Sequence, residues 1–333
     1  MSFDGKIRVE YARDLHLPDV GLWLDPHRSK PFAFVSHAHS DHVARHQQIL
    51  CSPITAHLLK VRYRISPERM MPCEFFQARS IAGFQFTLLP AGHIAGSAMI
   101  HINCLNSGAT LLYTGDYKLR SSRTVETASW LKADTLIMES TFGLPRYVLP
   151  PAEEIEKQIV TFVSDTLDRG DTPILLGYSL GKAQEIAAIL AAHDLPFLST
   201  ASVAAMTEAC RKMGMSLPEA ALFHDHVPLG FSLIAPPQAV RQAAVARLPR
   251  RRSAIMTGWA IDPGARFRYR TDAAIPLSDH ADYPDLLRTV ELVEPKNILT
   301  VHGSTRELAA ALRQRNHNAW SIHGNDQLEF PLG

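Results

Sequence analysis

The sequence predicts an α/β protein in which an α/β domain with a parallel sheet is inserted into a β-rich domain. Short apolar runs separated by turn residues fill residues 7–140, a pattern typical of strands. From residue 152 helices and strands alternate, which favours a parallel sheet, and strand-like segments return at 273–277 and 297–302. The predicted domain limits are 1–150 and 271–333 for the β-rich domain and 151–270 for the inserted domain.

Individual segments support this division in chain order. The β-rich part has strand-like runs at P-F-A-F-V (31–35), F-T-L-L-P (86–90), A-M-I-H-I (98–102), A-T-L-L-Y-T-G-D (109–116) and T-L-I-M-E-S (135–140). After the proline-rich stretch 143–151, the inserted part has a helix from Ala152 to about Asp168, a strand at 172–177 and a helix from about Lys182 to Ala192. The segment 43–50 has the pattern of a starting helix.

Composition limits the possible functions. The chain of 333 residues is 46% hydrophobic, which is enough for one large domain or two ordinary ones. A formal net charge of +1 means that any nucleic-acid surface must be a local patch. Four dispersed cysteines predict buried, reduced thiols. The first residues have charges and no apolar run, so we expect no signal peptide, no membrane partner and a cytoplasmic location.

The stretch S-H-A-H-S-D-H at residues 36–42 has an unusual density of potential metal ligands. Alternation along a strand would put His37, His39 and Asp41 on one face. Since Asp41 and His42 are adjacent and cannot both point that way, a second metal beside the first is the economical interpretation. Zn²⁺ accepts these ligands, and so would Mn²⁺ or Fe²⁺. The alternative is a structural turn with incidental histidines.

Other candidate ligands follow apolar runs elsewhere in the chain. His93 lies in P-A-G-H-I-A-G-S, Asp116 in L-L-Y-T-G-D and His302 in L-T-V-H-G-S. Neighbouring glycines suit a backbone that passes close to a metal. Each residue taken alone could be an ordinary loop histidine or turn aspartate, but their order after H-A-H-S-D-H is specific.

These motifs together resemble the metallo-β-lactamase superfamily in its two-metal form. D-T-L-I-M-E-S-T-F-G (134–143), P-L-S-D-H-A-D-Y (276–283) and T-V-H-G (300–303) further resemble the motifs of the β-CASP nuclease branch. The resemblance extends over nearly the whole chain. It implies an αββα sandwich with an inserted β-CASP domain, and it is closest to bacterial ligase-associated DNA exonucleases.

The resemblance also implies a role for each motif residue. One metal would have His37, His39 and His93 as ligands, the other would have Asp41, His42 and His302, and Asp116 would bridge them. Asp25, in L-W-L-D-P, would support the ligand loop. Two cations about 3.5–4 Å apart stabilise both attacking and leaving oxygens of a phosphodiester. Asp41 would accept a hydrogen bond from the attacking hydroxide, while His280, oriented by Glu139, would protonate the leaving oxygen or hold the phosphate.

G-Y-S-L-G-K at residues 177–182 offers a rival interpretation. It matches the G-x-S-x-G nucleophile elbow and stands between a strand and a helix. A serine hydrolase would leave the metal cluster without a task, so we interpret Ser179, Gly181 and Lys182 as a phosphate site at a helix N-terminus. The spacing does not fit a Walker A loop.

Arginines concentrate between residues 241 and 270. Those before residue 253 fit a solvated basic surface. Arg266, Arg268 and Arg270 lie two apart, so an extended segment would direct all three to one side, where they could grip the phosphates of a substrate.

The sequence therefore predicts a two-metal DNA exonuclease, with Zn²⁺ or Mn²⁺, that acts on single-stranded DNA in repair. By resemblance alone, a DNA ligase and a helicase would act in the same pathway. The alternatives are an RNA-processing nuclease, a thioesterase or lactamase type of hydrolase, and a non-catalytic scaffold.

Overall fold

The computed structural model describes residues 7–322, which form two compact units. The first unit comprises residues 7–119, 126–147 and 280–322, and the second comprises 120–125 and 148–279. The predicted domain limits of 151 and 270 stay predictions. The signal-peptide prediction was based on the first residues of the chain, and residues 1–6 of that segment lie outside the described residues. Within residues 7–322, no helix has the length and apolar character needed to cross a bilayer.

Strands and helices are numbered along the chain. The strands are β1 (Glu10–Tyr11), β2 (Leu15–Leu17), β3 (Leu22–Leu24), β4 (Phe32–Phe34), β5 (Gln48–Cys51), β6 (Met70–Pro72), β7 (Ala78–Ile81), β8 (Phe84–Pro90), β9 (Ala98–Cys104), β10 (Thr110–Tyr113), β11 (Thr135–Ser140), β12 (Thr172–Leu176), β13 (Phe197–Ser199), β14 (Ala221–Leu222), β15 (Ser232–Ala235), β16 (Arg251–Met256), β17 (Ala273–Ile275), β18 (Asn297–Gly303) and β19 (Ala319–Ser321). The α-helices are α1 (Pro53–Tyr63), α2 (Ala152–Asp168), α3 (Lys182–Ala192), α4 (Ala201–Lys212), α5 (Ala243–Ala246), α6 (Ala265–Tyr269), α7 (Tyr283–Val293) and α8 (Thr305–Arg313).

The first unit contains two sheets packed face to face. The first sheet has the order β1-β2-β3-β4-β5-β6, and the second has the order β19-β18-β11-β10-β9-β8-β7. Alternation along β10 sends Leu111 and Tyr113 into the core between the sheets and Leu112 to the opposite face. That opposite face is covered by Leu286 of α7 and Leu308 of α8. This layering confirms the predicted sandwich.

The second unit is built on a third sheet of six parallel strands, ordered β14-β13-β15-β12-β16-β17. Residues of α2 and α3, such as Ile159 and Ile186, pack on one face together with Leu175 of β12. Ile174 and Leu176 of β12 face the other side, where they pack with Val245. The sheet confirms the parallel topology that the alternating pattern predicted, and β17 is its last strand.

The prediction of a helix starting at residue 43 is wrong. Ser40–His42 form a single 3₁₀ turn, and residues 48–51 form β5. Ile49, Leu50 and Cys51 are fully buried, with β5 paired between β4 and β6. An interior position between two parallel strands buries both faces, so a continuous apolar run fits a strand there.

Candidate metal centre

The candidate ligands collect where strands end. His93 follows β8, Asp116 follows β10 and His302 is the second-to-last residue of β18. In the second sheet β8, β10 and β18 run in the same direction, so their carboxyl ends share one edge. His37 and His39 follow β4 of the first sheet. The fold therefore brings together residues that are distant in sequence.

Three imidazoles form the tightest part of the cluster. His37 Nε2 lies 3.1 Å from His39 Nδ1, and His93 Nε2 lies 3.1 Å from the same His39 atom. The three histidines each offer a ligand atom within 4.8 Å of the others. His37 and His93 are buried. Three converging imidazole nitrogens suit a divalent cation such as Zn²⁺.

Asp116 connects this group to His42. One carboxylate oxygen, Oδ2, lies 3.1 Å from His42 Nε2, 3.8 Å from His37 Nε2 and 3.9 Å from His93 Nε2. His37, His42 and Asp116 form a second potential ligand group, and His93, Asp116 and His280 form a third. Asp116 therefore belongs to two of the three potential ligand groups in residues 7–322.

The surroundings of His37 and His42 shift the pKa values of these two histidines in opposite directions. Burial, reinforced by the neighbouring His42, holds the pKa of His37 well below its usual range, so His37 is neutral and able to bind metal. Burial would also lower the pKa of His42, but Asp116 and then Asp25 raise it well above its usual range. Metal binding at His42 therefore requires release of a proton.

Asp25 forms hydrogen bonds next to the candidate ligand loop. It accepts hydrogen bonds from the backbone N–H of Ser36 (2.7 Å), from Ser36 Oγ (2.6 Å) and from the hydroxyl of Tyr113 (2.9 Å). Its Oδ2 also lies 3.0 Å from His42 Nδ1. Ser36 Oγ in turn lies 2.9 Å from His37 Nδ1. Ser36 and Tyr113 were not predicted to take part, although both flank predicted ligands.

Asp41 and His302 lie outside the three potential ligand groups found among residues 7–322. Alternation was predicted to put Asp41 on the face of His37 and His39, and this is wrong because the 3₁₀ turn replaces the strand. The Asp41 side chain is 72% exposed, with Oδ2 3.9 Å from His42 Nε2. The rings of His302 and His42 lie 5.6 Å apart. The ligand roles of both residues stay predictions.

Glu139 and His280 form a direct pair. His280 Nδ1 lies 2.9 Å from Oε2 and 3.1 Å from Oε1 of Glu139. The same buried carboxylate accepts hydrogen bonds from the backbone N–H of Tyr117 (2.8 Å) and from Thr141 Oγ1 (2.6 Å). An ionised carboxylate only accepts, so in this pair Nδ1 carries the hydrogen and Nε2 is the ring nitrogen that does not contact Glu139.

Comparisons with known proteins show which families the chain resembles. Residues 269–323 match the family described as "Zn-dependent metallo-hydrolase RNA specificity domain". A probable DNA ligase of Opitutus terrae is 44% identical over 326 residues, 97% of this chain and 32% of that protein. The DNA cross-link repair protein SNM1 of Arabidopsis thaliana is 32% identical over 51% of this chain and 37% of its own length. An RNase J-like protein of Methanocaldococcus jannaschii is 31% identical over 55% of this chain and 50% of its own length.

The chain belongs to the metallo-β-lactamase superfamily. Its relatives place it in the β-CASP branch, as the motifs in the first and last parts of the chain predicted. The chain spans about a third of the length of the Opitutus relative and half or less of the other two.

The predicted phosphate site of this β-CASP protein has most of its donors engaged within the second unit. The N–H of Gly181 donates to Gln184 Oε1 (2.7 Å), and Gln184 Nε2 donates to the carbonyl of Ser179 (3.1 Å). Lys182 is buried, and its Nζ lies 2.6 Å from Asp279 Oδ2. The N–H groups of the next residues, Ala183, Gln184 and Glu185, donate to carbonyls of residues 178 and 181. The predicted role of this loop in phosphate binding stays a prediction.

The arginine segment is not extended, so the prediction that it would aim three side chains to one side is wrong. Arg266 and Arg268 lie in α6, and Arg270 ends that helix with a left-handed φ of 54°. Residues two apart on a helix point in clearly different directions. All three arginines are exposed, and Arg268 lies 3.7 Å from Asp262. Their role in gripping phosphates stays a prediction.

Proposed function

We propose that the protein is a metal-dependent nuclease that hydrolyses phosphodiester bonds of single-stranded DNA from an end. The observation that carries this proposal is the convergence of the His37–His39–His93 group on Asp116 and His42, next to the Glu139–His280 pair. A metal-ligand cluster beside a carboxylate-oriented histidine provides both electrostatic stabilisation and proton transfer for an in-line displacement.

Two divalent cations, Zn²⁺ or Mn²⁺, fit the donor set. His37, His39 and His93 would hold one, and Asp41, His42 and His302 the other, with Asp116 shared. When bound, such ions act as Lewis acids toward the phosphate and make a nucleophile available at neutral pH. The neutral state of buried His37 and the shared position of Asp116 support this assignment.

His280 and Glu139 would handle the leaving group. A protonated His280 donates to the leaving oxygen, or contacts the scissile phosphate, through Nε2. Glu139 stabilises the charged ring through Nδ1. Thr141 and the N–H of Tyr117 keep that carboxylate in place, so the ring keeps one orientation. Asp41, exposed beside His42, would orient the attacking water.

DNA is the substrate that the 44% identity with a probable DNA ligase supports, and action beside a ligase and a helicase belongs to the same proposal. SNM1, a DNA cross-link repair protein, points in the same direction. RNA processing is the second candidate. The match of residues 269–323 to an RNA specificity domain and the similarity to an RNase J-like protein favour it.

End-labelled single-stranded DNA and RNA of matching sequence, incubated with protein loaded with Zn²⁺ or Mn²⁺, test the proposal. We expect DNA to be shortened from one end faster than RNA, and EDTA to stop the reaction. Faster shortening of RNA would overturn the DNA assignment and favour the second candidate. Hydrolysis of a chromogenic lactam or thioester, with both nucleic acids intact, would overturn the nuclease proposal itself.

A further inference from the structure

The third sheet has a topological switch point between β12 and β16. These strands are parallel neighbours, with Leu176 opposite Ile255. The helix after β12, α3, leads to β13 on one side of the pair, whereas α6 after β16 leads to β17 on the other side. The loops 177–181 and 257–264 therefore diverge at the carboxyl edge. Open α/β sheets bind ligands in the crevice at such points.

Two large apolar rings next to these loops along the chain are exposed. Tyr178, two residues after the end of β12, is 57% exposed. Phe267, on α6, is 69% exposed, and α6 contacts both β16 and β17. Burial of such rings stabilises folded proteins, so the exposure of two rings beside the loops of a switch point points to contact with a partner.

Exposed arginines accompany the Phe267 ring. Arg266, Arg268 and Arg270 are exposed, and the Arg266 guanidinium lies 4.5 Å from the centroid of the Phe267 ring. Asp262 is the acidic residue that approaches this group, 3.7 Å from Arg268. Aromatic faces next to arginines form the surface on which single-stranded nucleic acids bind, with bases stacked on the rings and phosphates near the guanidinium groups.

The loop after β12 is also held rigidly. Gln184 bonds Gly181 and Ser179, and Lys182 pairs with Asp279, so the polar groups of the loop are engaged within the unit. Lys182 Nζ also lies 5.3 Å from the centroid of the partly exposed Tyr178 ring and helps to hold it in place. A fixed ring loses little conformational entropy when it stacks on a base. The loop therefore suits base contact better than phosphate contact.

We propose that Tyr178 and Phe267 stack on bases of single-stranded nucleic acid and that Arg266, which lies beside the Phe267 ring, contacts its phosphates. The identity of the partner rests on the proposed nuclease function. Because every base has a π-face, this surface would bind strands of any sequence.

Binding can be measured without cleavage by using the full-length Asp116→Ala protein and DNA strands containing 2-aminopurine, whose fluorescence reports stacking. We expect Tyr178→Ala or Phe267→Ala to weaken binding about five- to hundredfold, the range found for loss of one stacked base, and to restore fluorescence. Tyr178→Phe should bind normally, because the ring and not the hydroxyl makes the contact. Phe76→Ala, which removes a ring 62% exposed in the first unit, should have no effect.

An abasic strand separates stacking from charge. Tyr178→Ala should not weaken its binding further. Arg266→Ala should weaken binding of both strands and flatten the salt dependence by about 0.7 unit of log–log slope, the value for one phosphate contact on a single strand. Normal binding by both Tyr178→Ala and Phe267→Ala, or equal losses with abasic strand, would overturn the proposal. If the wild type cleaves DNA while both alanine variants bind normally, the nuclease function stands and only the stacking proposal is overturned. Binding without cleavage by wild type would overturn the nuclease function alone.

Discussion

Each of the two units has a polar motif directly after a strand, and the two motifs use their polar groups in opposite ways. In the first unit, H-A-H-S-D-H directs imidazole nitrogens toward each other and toward Asp116, at distances of 3.1 to 3.8 Å. In the second, G-Y-S-L-G-K directs Gly181 and Lys182 to partners within the same unit. A motif binds an external ligand only through groups that its own chain leaves for that ligand.

Asp116→Ala should have the largest effect, because it removes the carboxylate shared by four imidazoles. We expect loss of nuclease activity and a fall in bound metal from about two equivalents of Zn²⁺ to one or none, measured by elemental analysis after reconstitution. Ser179→Ala is the matched control and should keep both metal and appreciable turnover. Complete loss of activity in Ser179→Ala with full metal would favour a serine nucleophile, and at most one ion in wild type would contradict the two-metal assignment.

His280→Ala should have the next largest effect. If His280 donates a proton or contacts the phosphate, cleavage should slow by roughly 10²–10⁴ while both metals stay bound. His193→Ala provides the control, because that histidine also contacts a glutamate, Glu156, at 2.8 Å, but lies in the second unit. An unchanged rate in His280→Ala would remove this residue from the mechanism, and loss of one metal would make it a ligand, as its group with His93 and Asp116 allows.

Local patterns, namely strand-forming runs and polar residues directly after them, predicted the strands of the first unit and the candidate ligands, and the family resemblance implied the sandwich. The sequence did not predict how each ligand is aimed. The 3₁₀ turn at Ser40–His42 and the helical turn around Arg266 and Arg268 follow from tertiary packing, which alternation cannot express. A short motif also cannot reveal partners from distant parts of the chain, such as Asp279, which lies 97 residues from Lys182.

Lys182→Met tests whether Lys182 is engaged by Asp279 within the second unit. Removing one partner of a buried ion pair leaves Asp279 as an uncompensated buried charge, which costs about 3–5 kcal/mol of unfolding free energy. The Lys182→Met/Asp279→Leu double variant should recover most of this loss, because it removes both charges. Lys212→Met, which breaks an exposed pair with Glu208, should cost less than about 1 kcal/mol. If urea denaturation shows equal stability for Lys182→Met and wild type, the lysine is available for phosphate after all.

His46 provides the smallest and finest test, since it is a fully buried histidine only four residues beyond His42 that belongs to none of the potential ligand groups in residues 7–322. Its Nδ1 accepts a hydrogen bond from the N–H of Lys30 (3.3 Å), and burial lowers the pKa of His46 to about 4. In the unfolded chain His46 has a histidine pKa of about 6.5, so as the pH falls the unfolded chain binds a proton at His46 before the folded protein does. The stability contributed by neutral His46 is therefore complete above pH 6.5 and declines as the pH falls toward 4, by about 2 kcal/mol at pH 4.5. Urea denaturation of EDTA-treated protein at pH 7 and 4.5 should show a smaller acid-induced loss in His46→Gln than in wild type, whereas His224→Gln, at an exposed position, should behave as wild type. Equal acid losses in all three proteins would mean that His46 titrates normally, and burial alone would then not distinguish the structural histidines of this stretch from its ligands.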